Sequence, residues 1–277
     1  MQDTLHESQL EDKPRTISAV VEEVLSGRYE RCCLDSNEVY QLRDCTIDYF
    51  EEMCQRDPVQ HYLKARIAAR HGRLDLLKWL RERGYEWHSG ECMEAAWGGH
   101  LDVLKWMRSE GAQKCPEESY MAARRGHLDI LKWLDSEGTL WPSEDIERIC
   151  CFEAAHNGHL NVIKWLRCKG ARWSGAETSA AASRGHLDML KWLRKHGCRW
   201  NGEETTGAAL NGHLATLQWL HDEGAPWSGE EVTEALRYNH LRCAEWLLEV
   251  GAPYVLERYT KALLSAIIRN LPKSTLE

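Results

Sequence analysis

Between residues 60 and 253 the chain repeats one pattern of apolar and polar positions. In the stretch from Trp87 to Lys114, a short run through Met93, Ala95 and Ala96 is cut by Gly98-Gly99. It is followed by His100 and by apolar residues at Leu101, Val103, Leu104, Trp106 and Met107. Ser89-Gly90-Glu91-Cys92 opens the first run with an acid suited to the positive end of a helix dipole, and Gly98-Gly99 supplies the left-handed turn that ends it. The pattern predicts a short helix, a tight turn and a second helix from near His100 to about Glu110. That second helix is apolar on two flanks: Leu101, Leu104 and Met107 are placed to meet the helix of their own unit, and Val103 and Trp106 to meet the next unit.

The same pattern returns at a fixed step. Gly-His-Leu occurs at Gly99, Gly126, Gly158, Gly185 and Gly212, with variants at Gly72 and Asn239, so the steps are 27, 27, 32, 27, 27 and 27 residues. Paired alanines hold register from Ala68-Ala69 to Ala208-Ala209, and Asp75, Asp102, Asp129 and Asp188 sit in the first turn of their second helices. A step of this size is one supersecondary unit stacked many times, without a private core. Asn239, in place of glycine, tolerates the left-handed conformation better than other side chains.

Twelve of the 13 tryptophans fall in two columns. One runs through the second helices (Trp79, Trp106, Trp133, Trp165, Trp192, Trp219, Trp246) and the other through the loops that follow them (Trp87, Trp141, Trp173, Trp200, Trp227). Both read as packing between units rather than as a ladder for stacking bases or sugars. Trp97 does not repeat: Arg124, His156, Ser183, Leu210 and Arg237 stand in its place. A position that varies within a periodic array is released from packing and is where such an array encodes its partner.

The ends are irregular, as caps are. Residues 1–16 read as a disordered or partner-ordered segment. Residues 17–59 read as a helical cap with a degenerate repeat, since Ile47-Asp48-Tyr49-Phe50 stands 27 residues before Leu74. Seven repeats occupy 60–253, and 254–277 form a closing half-repeat and tail. The 32-residue step carries five extra residues near 146–151, expected in a loop or a lengthened first helix.

Charge and motifs narrow the chemistry. A net charge of −8 disfavours nucleic acid and anionic membrane as partners. There is no apolar run of membrane-spanning length, and the polar, acidic N-terminus resembles neither a signal nor a transit peptide. The 11 cysteines are odd in number and irregular in spacing, which reads as buried, reduced thiols in a cytoplasmic or nuclear protein. No phosphate-binding glycine loop, nucleophile elbow or zinc framework is legible. The repeated histidines are too far apart to share a metal and are expected to start the second helices and bond across the turn. No cofactor and no catalytic residue is expected.

The segment Ala95–Ala112, Ala-Ala-x-x-Gly-His-Leu-Asp-Val-Leu-Lys-Trp-Met-Arg-Ser-Glu-Gly-Ala, resembles the central and C-terminal part of an ankyrin repeat. The units here are shorter than the usual 33 residues, and versions of Ser-Gly-Glu-Glu replace the Thr-Pro-Leu-His opening. The resemblance implies an all-α, ankyrin-like solenoid of stacked antiparallel helix pairs, with short loops in place of full β-hairpin fingers. It further implies a non-catalytic scaffold or adaptor that binds a partner protein through the concave first-helix surface. The candidate contact residues are the non-periodic row Arg70, Glu94, Trp97, Tyr120, Met121, Arg124, Arg125, His156, Arg184, Leu210, Arg237 and Tyr238. Arg124, Arg125 and Arg184 suit an acidic or phosphorylated segment. The alternative is a permanent subunit of a larger assembly, docking through apolar cap residues such as Tyr49, Phe50, Leu263 and Ile267. A nucleic-acid binder and an enzyme with an unrecognised site are weaker readings.

Overall fold

The computed structural model describes residues 43–56, 61–140 and 143–254. Among them there are helices and no strands, and the helices alternate as the pattern predicts. The first helices are His61–Arg70, Ser89–Gly98, Glu117–Arg125, Glu144–His156, Ala176–Ser183, Glu204–Leu210 and Glu231–Arg237. The second helices are Leu74–Glu82, Leu101–Ser109, Leu128–Ser136, Leu160–Cys168, Leu187–Lys195, Leu214–Asp222 and Leu241–Glu249. One further helix, Ile47–Arg56, stands a repeat length before Leu74, and its Phe50 is fully buried, edge-on to Trp79 at 5.5 Å. The expected cap elements before residue 43, and the closing half-repeat with Leu263 and Ile267, lie outside the described residues.

The first helices pack on one another in unbroken succession, each also against its own second helix, while neighbouring second helices touch far less. Small side chains cause this asymmetry. Ala68, Ala69, Ala95, Ala96, Ala122, Ala123, Ala154 and Ala155 have no exposed surface, so backbones in the first layer approach closely. A stack whose one layer is more tightly spaced bends with that layer inside. Of the second-helix residues, Val103, Leu104 and Met107 are buried, whereas Leu101 and Trp106 are only half-buried. The face toward the first layer therefore carries most of the core.

The repeated histidine does more than start a helix. It occupies the N-cap position but gives no side-chain cap; its ring reaches back into the preceding repeat. His100 Nε2–H donates to the Arg70 carbonyl at 3.0 Å, His127 to Trp97 at 3.0 Å, His159 to Arg124 at 3.0 Å and His186 to His156 at 3.2 Å. Each acceptor is an orphan carbonyl at the end of a first helix. The expected bond across the histidine's own turn is thus replaced by a bond between repeats. The ring lies flat on the preceding glycine: a Cβ on Gly126 would stand 2.6 Å from His159 Nδ1, and one on Gly158 2.8 Å from His186 Cε1. Glycine is needed there twice, for φ of +78° at both positions and for room. Asn239, at φ +62°, is the one non-glycine residue at positive φ among the described residues.

The acids of the Ser-Gly-Glu-Glu loops join the repeats in a second way. Glu91, Glu118, Glu177, Glu204 and Glu231, which sequence places only as helix starts, are at most 1% exposed. Glu204 accepts from the backbone N–H of Asn201 at 2.8 Å and Gly202 at 3.0 Å, and from the Thr178 hydroxyl of the preceding repeat at 2.6 Å. Glu231 repeats the arrangement with Ser228, Gly229 and Thr205. A single carboxylate closes a loop too short to form a hairpin and ties it to its neighbour.

Cys150 stands where five of the repeats have this glutamate and the first has Lys64, and it too is fully buried. Here the five extra residues lengthen the first helix to 13 residues, Glu144–His156. The loop closure moves one turn earlier, to Ser143, whose hydroxyl accepts from Ile146 N–H at 3.3 Å. The insertion is therefore a lengthened first helix.

Trp141 lies outside the described residues; the loop tryptophans Trp87, Trp173 and Trp200 are clasps between repeats. Trp87 meets Trp106 edge-on at 5.5 Å, Trp173 meets Trp192 at 6.1 Å and Trp200 meets Trp219 at 6.0 Å. Arg167 lies over Trp173 at 4.8 Å and Arg194 over Trp200 at 4.5 Å. With an edge or face already engaged, these rings do not offer a row of open platforms for bases.

Candidate functional site

The twelve candidate residues divide into three groups. Tyr120 and Met121 are 3% and 0% exposed, and Glu94 is 4% exposed, so these three belong to the packed layer and present no surface to a partner. The reason is their place in the helix turn: they point between adjacent first helices, where the layer is most tightly spaced. Glu94 serves instead as an internal anchor, bonding Arg66 at 2.7 Å and Arg70 at 2.6 Å.

The second group gathers around Trp97. Its half-buried ring carries the guanidinium of Arg125 at 5.0 Å, Arg124 at 5.2 Å and Arg70 at 5.7 Å. These come from the two repeats that flank the Trp97 repeat, brought together because the last turns of neighbouring first helices lie side by side. Arg124 also approaches Glu153 at 3.6 Å, while Arg125 is exposed. Beside them lies a pocket of about 390 Å³ lined by Arg43, Arg70, His71, Trp97, Gly98, His100, Arg125 and His127. Arg43 and His71 were missed in sequence. Arg43 precedes the legible repeats, whereas His71 occupies the register position of Arg125 and could have been found by extending that column backward.

The third group lines a groove of about 600 Å³ farther along the layer, bounded by Phe152, His156, Ser179, Ser183, Thr206 and Leu210, with Glu203 and Glu230 at its side. Phe152 stacks on His156 at 5.8 Å, and Arg184 Nε–H donates to His156 Nε2 at 2.9 Å. That bond needs an unprotonated nitrogen. Burial, with the charges of Arg184 and Arg124, lowers the His156 pKa to about 4. His156 is therefore expected to stay neutral at pH 5, where an ordinary histidine is charged. Its Cε1–Hε1 resonance followed by NMR should titrate near 4, and a midpoint at 6 or above would contradict the buried, acceptor-ring geometry. A depressed histidine pKa contributes stability that is complete above the unfolded value of about 6.5 and is lost as pH falls toward the folded value. Arg237 and Tyr238 lie at the far end of the row; Arg237 bonds Glu234 at 2.8 Å and Tyr238 is exposed.

No catalytic constellation emerges from these groups. Seven of the nine described cysteines are buried, and desolvation pushes Cys92 and Cys198 up to about 12, which keeps them as thiols. Among the described residues no group of three His, Cys, Asp or Glu is placed to hold a metal ion. No helix among them is long and apolar enough to cross a membrane.

Residues 151–194 match the family described as "Ankyrin repeats (many copies)". This segment holds the end of the long first helix, a second helix, and most of the following helix pair, and the remaining pairs share its register. Residues 151–194 are ankyrin repeats, and the array of helix pairs around them is consistent with the same repeat. A search of curated proteins finds no match to the chain. Ankyrin repeats generally mediate protein–protein interaction, and the family is typically non-enzymatic.

Proposed function

We propose that the chain is a non-catalytic scaffold or adaptor that binds a protein partner through its first-helix layer, centred on Trp97 and its arginines. One observation carries this reading. At the end of the first helix, where the layer is otherwise small and tightly packed, Trp97 and the arginines of the two flanking repeats form an aromatic and cationic patch. Tryptophan and arginine are the residues most enriched among interface anchors, and a partly desolvated guanidinium over an indole is already held in place for contact. The groove at Phe152, His156 and Leu210 extends the same layer with hydroxyl and apolar surface.

The test is quantitative capture of a partner from the native source with three folded proteins: the wild type, a Trp97→Ala/Arg125→Glu variant, and an Arg172→Glu variant. Arg172 is exposed and pairs with Glu144 at the other end of the first helix. The layer reading expects capture to fall at least tenfold in the double variant and to persist in Arg172→Glu. Capture unchanged by the double variant would place the interface elsewhere. A chain that sediments only as part of a larger assembly would favour the permanent-subunit alternative.

A further inference from the structure

We infer that the pocket between Arg43, Arg70 and Arg125 is a binding site for a phosphomonoester carried on a partner's peptide segment, a phosphoserine or phosphothreonine. The inference rests on the reading of the first-helix layer as the partner-binding surface and adds the chemistry of one subsite.

Three guanidinium groups from separate elements line a single pocket of about 390 Å³ whose wall is the Trp97 indole. Charge in the neighbourhood is unbalanced. Arg66 and Arg70 share Glu94, Arg124 faces Glu153, and Asp44 lies near enough to His71 to act on it. Arg43 and Arg125 make no ion pair with another described residue, and both are exposed. These two guanidinium groups bring two positive charges to the pocket, the charge of a phosphomonoester dianion near neutral pH. A carboxylate would match only one of them. Planar guanidinium forks suit tetrahedral phosphate oxygens bidentately, more so than a single point charge would.

A second observation comes from His71, another pocket-lining residue. Its Nε2 is buried and has no hydrogen-bond partner. An unsatisfied buried polar atom is costly, and the ring that carries it lines the pocket beside the three guanidinium groups. His100 and His127 also line the pocket, but their Nε2–H groups already serve the Arg70 and Trp97 carbonyls. The recognition groups are therefore the arginines, with the His71 ring as part of the wall. The pocket lies beside Trp97 on the layer that carries the proposed interface, which favours a peptide side chain over a free ion.

The experiment uses the full chain and three fluorescent peptide libraries that are degenerate except at the centre, where they carry phosphoserine, serine or glutamate, with inorganic phosphate as competitor. Binding is read by fluorescence polarisation. The phosphoserine library is expected to bind at least tenfold more tightly than the serine library and more tightly than the glutamate library. That preference is expected to vanish in Arg43→Glu/Arg125→Glu and to survive in Arg172→Glu, which alters an exposed guanidinium outside the pocket and the groove. Circular dichroism and thermal unfolding confirm that each variant folds. Equal binding of phosphoserine and serine libraries overturns the assignment, as does an equal loss in Arg172→Glu, which would mean diffuse attraction. Competition by inorganic phosphate as effective as by the peptide, mole for mole, would overturn the peptide source. Partner capture that depends on Trp97 yet ignores phosphatase treatment of the lysate would sink this inference and leave the scaffold reading standing.

Discussion

Gly126→Ala is expected to destabilise the array by about 2–5 kcal/mol, combining left-handed backbone strain with overpacking. The Gly126 φ is +78°, and the new methyl carbon would stand 2.6 Å from His159 Nδ1 and 2.8 Å from its Cγ. The His159 ring cannot withdraw without giving up its bond to the Arg124 carbonyl at 3.0 Å. A double-mutant cycle separates the two causes. His159→Ala alone should cost about 1–3 kcal/mol, because a helix-terminal carbonyl loses its donor and the ring's contacts are lost. In that background the steric part of Gly126→Ala disappears, leaving about 1–2 kcal/mol of backbone strain. Equilibrium urea unfolding followed by circular dichroism gives all four values. An identical cost for Gly126→Ala in both backgrounds would show that the ring is not what the glycine accommodates.

Glu231→Ala should be comparably damaging, at about 3–5 kcal/mol, since it strands several buried donors at once. The carboxylate accepts from Ser228 N–H at 2.8 Å, Gly229 N–H at 2.9 Å, the Ser228 hydroxyl at 2.9 Å and the Thr205 hydroxyl at 2.7 Å. Glu231→Gln keeps an acceptor oxygen and should cost less than half as much. Thr205→Val removes one donor with little change of shape and should cost about 1 kcal/mol. Equal effects of Gln and Ala would mean that charge, rather than the set of bonds, holds the loop.

The same site sets a pH dependence. Burial alone would raise the Glu231 pKa, but the bonds from Ser228 and Thr205 outweigh it and hold the carboxyl below its ordinary value. A depressed carboxyl pKa contributes stability that is present above the unfolded value and is lost as pH falls through the folded one. Burial raises Glu91 and Glu118, which have fewer backbone donors and act in the opposite sense. Acid should therefore weaken the C-terminal repeats through Glu231 more than the N-terminal ones through their glutamates. Residue-resolved hydrogen exchange at pH 4 and pH 7 measures this directly.

The periodic features were legible because each repeat had to satisfy the same constraint. Paired alanines, glycine before histidine, and leucines at helical spacing announced stacked helix pairs before any coordinate. Trp97 and its varying equivalents were legible as exceptions to that period. What failed to read correctly depended on which neighbour a side chain reaches. Tyr120, Met121 and Glu94 stand out from the repeat like Trp97, yet they turn into the seam between first helices. Glu231 looks like an ordinary helix-starting acid, but the shortness of its loop buries it.

Sequence by itself therefore determined the repeat length, the helix pairs, their turns and the place where the array departs from regularity. These are local matters of hydrophobic spacing and backbone conformation, complete within one unit. Only the tertiary structure decided that the histidine bonds to the preceding repeat, that buried Glu204 and Glu231 tie their loops to the preceding repeat, and that Arg43 and His71 join Arg70 and Arg125 around Trp97. Those contacts link residues a whole repeat or more apart. Their partners are fixed by how closely one layer of alanine-lined helices can stack, a distance that no single repeat contains.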